Sequence, residues 1–134
     1  MGHPDTHPWT AIEGRYLSIT SFRRDGTPVA TPVWFVRDGA RLLVQTEANS
    51  HKVKRIRRSS QVTVAACNAR GRLRGQPVAA TAEVLPPADL ARAEMLLASK
   101  YHVDLMFFKP LRAVQALFGR RPGPSIALAI TPKL

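Results

Sequence analysis

The chain has 134 residues, enough for one ordinary domain around one core. A hydrophobic fraction of 45% with 22% charged residues excludes wholesale disorder, and no apolar run approaches the ~18 residues that a membrane span needs. The net charge of +11 excludes an acidic, anion-avoiding protein, but it attracts nucleic acid, anionic lipid or an anionic cofactor without choosing among them.

The N-terminal stretch "MGHPDTHPWT" lacks the charged and apolar regions of a signal peptide, and residues 1–14 are expected to form a tail. Strand signals follow in close order. "RYLSITSF" (15–22) runs into a tight turn at Asp25-Gly26, and "PVATPVWFV" (28–36) returns to a second turn at Asp38-Gly39. "ARLLVQT" (40–46) completes an expected three-stranded meander. Pro28 and Pro32 withhold ladder hydrogen bonds, which predicts an edge or bulged portion of the second strand near Pro32.

The segment "EANSHKVKRIRRSS" is the most charged part of the chain: five of the eight residues from His51 to Arg58 are Lys or Arg. It predicts a short helix over 51–58, capped by Ser50 and anchored by Val53 and Ile56. Lys52 and Lys54 stand in its first turn, where the helix dipole already presents positive charge. A helix built for its own stability places Asp or Glu there. A cap hydroxyl, free backbone N–H groups and lysines together describe a phosphate cradle. Arg57 and Arg58 suit the far end of the dipole without any ligand, and are expected to form a solvated face.

Further strands are expected at "QVTVAAC" (61–67) and "PVAATAEVL" (77–85), joined by a polar loop over 69–76, and at "SIALAIT" (125–131). A helix over 88–100 places Leu90, Ala93, Leu97 and Tyr101 on one face, and "LRAVQALFGRR" predicts another ending near Gly119. Several strands are apolar on both faces, which predicts a barrel whose outer wall is also covered, most simply by a second subunit. Cys67 is the sole cysteine, so no internal disulfide forms. A reducing cytoplasm fits, with Cys67 as a buried, inert thiol.

The charge alone does not make a nucleic-acid protein, because no recognition-helix architecture, zinc spacing or strand-borne stacking motif accompanies it. A membrane reading falls on 103–121, where Met106, Phe107, Phe108 and Leu111 adjoin Lys109, Arg112, Arg120 and Arg121; core packing with a basic rim is preferred. His3 and His7 are four apart in a Pro-rich stretch and supply at most two ligands, so no metal site is expected. His51 either touches a phosphate or simply occupies the first turn, and His102 has a packing or dipole role. The nine Asp and Glu are scattered, and no catalytic acid–base set is expected.

"YLSITSFRRDGTPVATPVWFV", "LLVQTEANSHKVKRIRRSSQVTVA" and "GQPVAATAEVL", in that order, resemble the split β-barrel flavin/deazaflavin oxidoreductase superfamily. This is the pyridoxamine 5'-phosphate oxidase-like, FMN-binding split-barrel fold, and the nearest branch is the actinobacterial one that uses coenzyme F420. The resemblance covers roughly residues 15–100. It implies a mainly β chain: one domain over 1–134, a six-stranded antiparallel split barrel with short peripheral helices. It also implies a homodimer with cofactor sites at the subunit interface. By position, Ser50, Lys52, Lys54 and Arg55 would hold the cofactor phosphate and acidic tail. Thr31, Pro32, Val33 and Trp34 would lie along the ring, and Gln45, Thr46 and Ala48 would approach it. The expected activity is F420-dependent hydride transfer to an unsaturated or quinone-like small molecule. The alternatives are an FMN-binding protein or oxidase, and a non-catalytic cofactor- or nucleic-acid-binding module.

Overall fold

A computed structural model describes residue 9 and residues 12–101 and 124–133. The expectations for His3, His7, His102, the helix near Gly119 and the apolar segment 103–121 fall outside the described residues. The chain runs β1 (Tyr16–Phe22), β2 (Pro28–Val33), β3 (Val36–Asp38), β4 (Arg41–Glu47), α1 (His51–Arg58), β5 (Gln61–Cys67), β6 (Val78–Val84), α2 (Leu90–Lys100) and β7 (Ser125–Pro132). A 3-10 turn, Pro87–Asp89, leads into α2. The strands form one antiparallel sheet in the order β2-β1-β5-β6-β7-β4-β3.

The fold is a mainly β split barrel with short helices, as expected, but the described residues form seven strands rather than six. The stretch 28–36 is divided. β2 pairs with β1 through Leu17↔Val33 to Phe22↔Pro28, whereas β3 pairs with β4. The expected meander is therefore two separate hairpins. Trp34 and Phe35 lie between β2 and β3, which occupy opposite edges of the sheet. Three residue steps span at most about 10 Å, so the sheet must curl until its edges meet at Trp34 and Phe35. β2 is an edge strand, as its prolines require.

The barrel interior is filled by Leu17, Ile19, Phe35, Leu42, Val44 and their neighbours. Trp9 and Ile12, from the stretch expected to be a tail, are buried there too, and the Trp9 indole N–H donates to the Ala40 carbonyl at 2.9 Å. The outer wall is covered in two places by the chain itself. Leu43, Ala127 and Ala129 turn outward against Ala93 of α2, whose predicted face of Ala93, Leu97 and Tyr101 is buried. Loop 68–74 folds back over β5: Arg74 N–H donates to the Ala66 carbonyl at 2.8 Å, Leu73 bridges to Cys67, and Gly71 faces the Pro32 ring. Ser18, Ala65 and Cys67 are buried. Burial raises the Cys67 thiol pKa, in keeping with an inert side chain. No described helix is long and apolar enough to cross a membrane.

Candidate anion and cofactor site

The cationic helix forms over its expected bounds because its two apolar residues are three apart. Val53 and Ile56 are buried, fixing α1 against β1 and β6, and every other position faces outward or along the sheet. Ser50 is extended (φ −70°, ψ 156°), and its hydroxyl accepts from the Val53 N–H at 3.2 Å. This cap satisfies one of the helix's first free N–H groups, and the first turn contains no acid.

Lys52 reaches back to β4, where its ammonium donates to Thr46 Oγ1 at 3.1 Å. Burial, with the neighbouring Arg55 charge, lowers its pKa. Arg55 crosses to the end of β1, and its Nε donates to the buried Ser21 hydroxyl at 2.7 Å. Burial followed by the charges of Arg23 and Arg58 lowers the Arg55 pKa. Arg58 donates to the Phe22 carbonyl at 2.9 Å. Lys52, Arg55, Arg58 and Arg23 thus form one mutually repelling group. Among the described residues the ion pairs are those of Asp38 with Arg41 and Arg92, and none involves α1. Like charges with no counter-ion among the described residues, of which Lys52 and Arg55 are partly buried, fit an anionic ligand that relieves the repulsion.

The remaining sequence-predicted residues divide between two places. Thr46 joins Lys52, but Gln45 points to the opposite face of β4, where its amide donates to Glu94 of α2 at 3.2 Å. The strand period of two separates these adjacent residues. Ala48 N–H is bound to the Pro124 carbonyl at 2.8 Å in the turn before α1. Lys54 is exposed on the outer side of α1. On β2, Thr31 and Val33 lie opposite Ile19 and Leu17 and share their inward face, while Pro32 is exposed. Thr31 Oγ1 is buried with no hydrogen-bond partner, a polar atom that a bound ligand would satisfy. Trp34 stacks on Tyr101, with ring centroids 4.2 Å apart and planes 2° from parallel.

Sequence reasoning missed Ser21 and Arg23; Arg58 is exposed, as expected, and also donates to the Phe22 carbonyl. The pair Arg23-Arg24 before the Asp25-Gly26 turn was visible, but its proximity to α1 follows from α1 packing on β1. It also missed the joint made by the end of α2. The Tyr101 hydroxyl accepts from the Phe35 N–H at 3.1 Å and lies 2.9 Å from the Phe35 carbonyl and 2.7 Å from the Arg15 carbonyl. Lys100 donates to the same Phe35 carbonyl at 2.8 Å, and its ammonium sits 3.5 Å from the Phe35 ring centroid. Burial lowers the Lys100 pKa to about 8. These two residues satisfy backbone groups that the break between β2 and β3 leaves outside the ladder. Among the described residues no three His, Cys, Asp or Glu side chains converge to hold a metal ion. An open groove of about 590 Å³ lies elsewhere, lined by Ile56, Arg57, Ser60, Thr81 and Glu83 among others.

A family model described as pyridoxamine 5'-phosphate oxidase matches residues 11–133. No curated protein matches the chain. Among solved structures, a conserved hypothetical protein from Mycobacterium tuberculosis is 19% identical with a TM-score of 0.67, covering 100% of this chain and 82% of its own. A structure described as an F420 reductase is 16% identical with a TM-score of 0.57, covering 100% of this chain and 97% of its own. A FAD-binding protein from Mesorhizobium loti is 15% identical with a TM-score of 0.59, covering 90% and 81%. At these identities the structures share the fold. The family match spans the whole sheet and both helices, and the chain belongs to the pyridoxamine 5'-phosphate oxidase family.

Proposed function

We propose that this protein is an F420-dependent oxidoreductase that passes a hydride between the reduced deazaflavin and an unsaturated or quinone-like small molecule. The observation that carries the reading is the cluster of Lys52, Arg55, Arg58 and Arg23 that runs along α1 from its first turn to its last and has no counter-ion among the described residues. Its charge exceeds what one phosphate neutralises, and F420 carries both a phosphate and an acidic tail. The bound cofactor would supply the hydride chemistry. The chain's own part is to bind and orient: Lys52 and Arg55 hold the phosphate, the Thr31 hydroxyl offers a buried polar contact, and Trp34 faces the ring. FMN is the second reading, because the cradle responds to a phosphate on either ligand and a FAD-binding protein shares the fold. The reading includes a homodimer that shields the exposed Pro28, Ala30 and Pro32 of edge strand β2.

Fluorescence titration of the apo protein with F420 and with FMN tests this. Lys52→Ala should weaken F420 binding about 10- to 100-fold, the loss of one charge-assisted hydrogen bond, and Lys54→Ala far less, since Lys54 faces outward. Tighter binding of FMN than F420 would exchange the leading reading for the second. Binding of neither, with steeply salt-dependent DNA binding instead, would establish a non-catalytic nucleic-acid module.

A further inference from the structure

The two sides of β6 end at different places. Its ladder with β7 continues to Val84↔Leu128, whereas its ladder with β5 stops at Gln61↔Thr81. Just before Gln61 the chain belongs to α1, and one bond, from the Ala82 N–H to the Ser60 carbonyl at 2.9 Å, closes this side. Alternate residues of an antiparallel strand direct their N–H and carbonyl to opposite sides. The Leu85 N–H donates to Ala127 on the β7 side, so Val84 faces the side that β5 has left. Among the described residues no strand stands opposite Val84 there.

This open edge is one wall of the groove of about 590 Å³, a volume within the range of ligand sites. Ile56 of α1, Ala82 and Val84 supply its apolar part. Arg57 and Glu83 are its charged residues; both are exposed, and neither forms an ion pair among the described residues. An unpaired cation and an unpaired anion beside a free strand edge match a peptide that carries both charges. A strand laid antiparallel to β6 runs toward Ser60 and must end there, because Ser60 fills the place opposite Ala82. Its carboxylate then arrives beside Arg57, three residues before Ser60 in the chain. Its last side chain stands opposite Glu83 and the one before it opposite Val84.

We infer that this groove captures the C-terminus of an extended peptide by strand addition to β6. The terminal carboxylate sits on Arg57, a basic last residue faces Glu83, and an apolar residue before it packs on Ile56 and Val84. The Val84 N–H donates to the peptide backbone. Arg57 lies outside the cluster of Lys52, Arg55, Arg58 and Arg23, so the inference stands or falls without the cofactor reading.

Amide NMR of the protein titrated with the peptide acetyl-Ala-Val-Lys, free at its C-terminus, tests this. The Val84 amide signal should shift and its exchange with deuterium should slow, since its N–H gains a partner. Amidating the peptide's C-terminus, or the substitution Arg57→Gln, should each weaken binding about tenfold, the loss of one charge-assisted hydrogen bond. Acetyl-Ala-Val-Glu should bind more weakly than acetyl-Ala-Val-Lys, although the net charge of +11 alone would favour it. An unmoved Val84 signal, an affinity that survives both changes, or a preference for the acidic peptide would overturn the assignment. A Val84 N–H already protected in the free protein and exposed on dilution would show a second copy on this edge, and the peptide reading would fall.

Discussion

Replacing Tyr101 with Phe removes one oxygen from the joint between the two sheet edges and leaves the stacked ring in place. In the native chain that oxygen accepts the Phe35 N–H, which is buried, and its single proton serves the carbonyl of Arg15 or Phe35. After substitution the Phe35 carbonyl still receives Lys100, and Arg15 is exposed enough for water to replace its partner. Phe35 N–H has no such substitute, because Phe35 is 2% exposed. One buried donor left unsatisfied costs roughly 1–3 kcal/mol. Equilibrium urea unfolding of the two proteins measures this directly, and the slope with denaturant should not change. Lys100→Met should cost less, because the Tyr101 hydroxyl can turn its proton to the Phe35 carbonyl. The double variant should be worse than the sum, since each residue backs up the other. A Tyr101→Phe loss below about 0.5 kcal/mol would refute the argument that this hydroxyl substitutes for a missing ladder partner.

Three further outcomes are expected. Ser50→Ala should destabilise the fold by about 1 kcal/mol in thermal or urea unfolding, because the Val53 N–H loses its cap. Lys100 titrates at about 8 in the folded chain against the ordinary 10.5, so the unfolded chain binds more protons between those values. Stability should therefore rise with pH across that window, and the rise should shrink in Lys100→Met; an unchanged pH profile would show that Lys100 is not its source. Arg55→Met should weaken F420 or FMN binding at least tenfold while leaving the affinity for lumichrome, a tricyclic ring without phosphate, unaltered, which isothermal titration can separate.

The parts of this chain that local chemistry specifies were legible in the sequence. The Asp25-Gly26 turn forms with Gly26 at φ 89° and with Asp25 Oδ1 accepting the Thr27 N–H at 2.9 Å, interactions complete within three residues. Likewise, α1 begins at its serine cap and turns its two apolar residues inward. Lys52, Lys54 and Arg55 lie on α1 as its expected bounds required, and of these only Lys52 and Arg55 turn toward the sheet. Gln45 was grouped with Thr46 because neighbours in sequence look like neighbours in space. On a strand they are not.

What stayed hidden was the division of 28–36, and its cause lies far away in the chain. The run Val33-Trp34-Phe35-Val36 contains no glycine, asparagine or proline, so nothing local marks a break. An apolar run continues as one strand unless something else satisfies its backbone. Here that something is Tyr101, which is 66 residues from Phe35 and supplies a hydroxyl where a strand partner would have stood. The same residue that lets the chain leave one edge of the sheet and join the other also stacks on the tryptophan at the crossing. Barrel closure and presentation of the indole are therefore one structural event, and a substitution at Tyr101 should alter folding stability and ring binding together. A substitution at Lys52 should alter phosphate binding, while β2, β3 and the indole keep their positions.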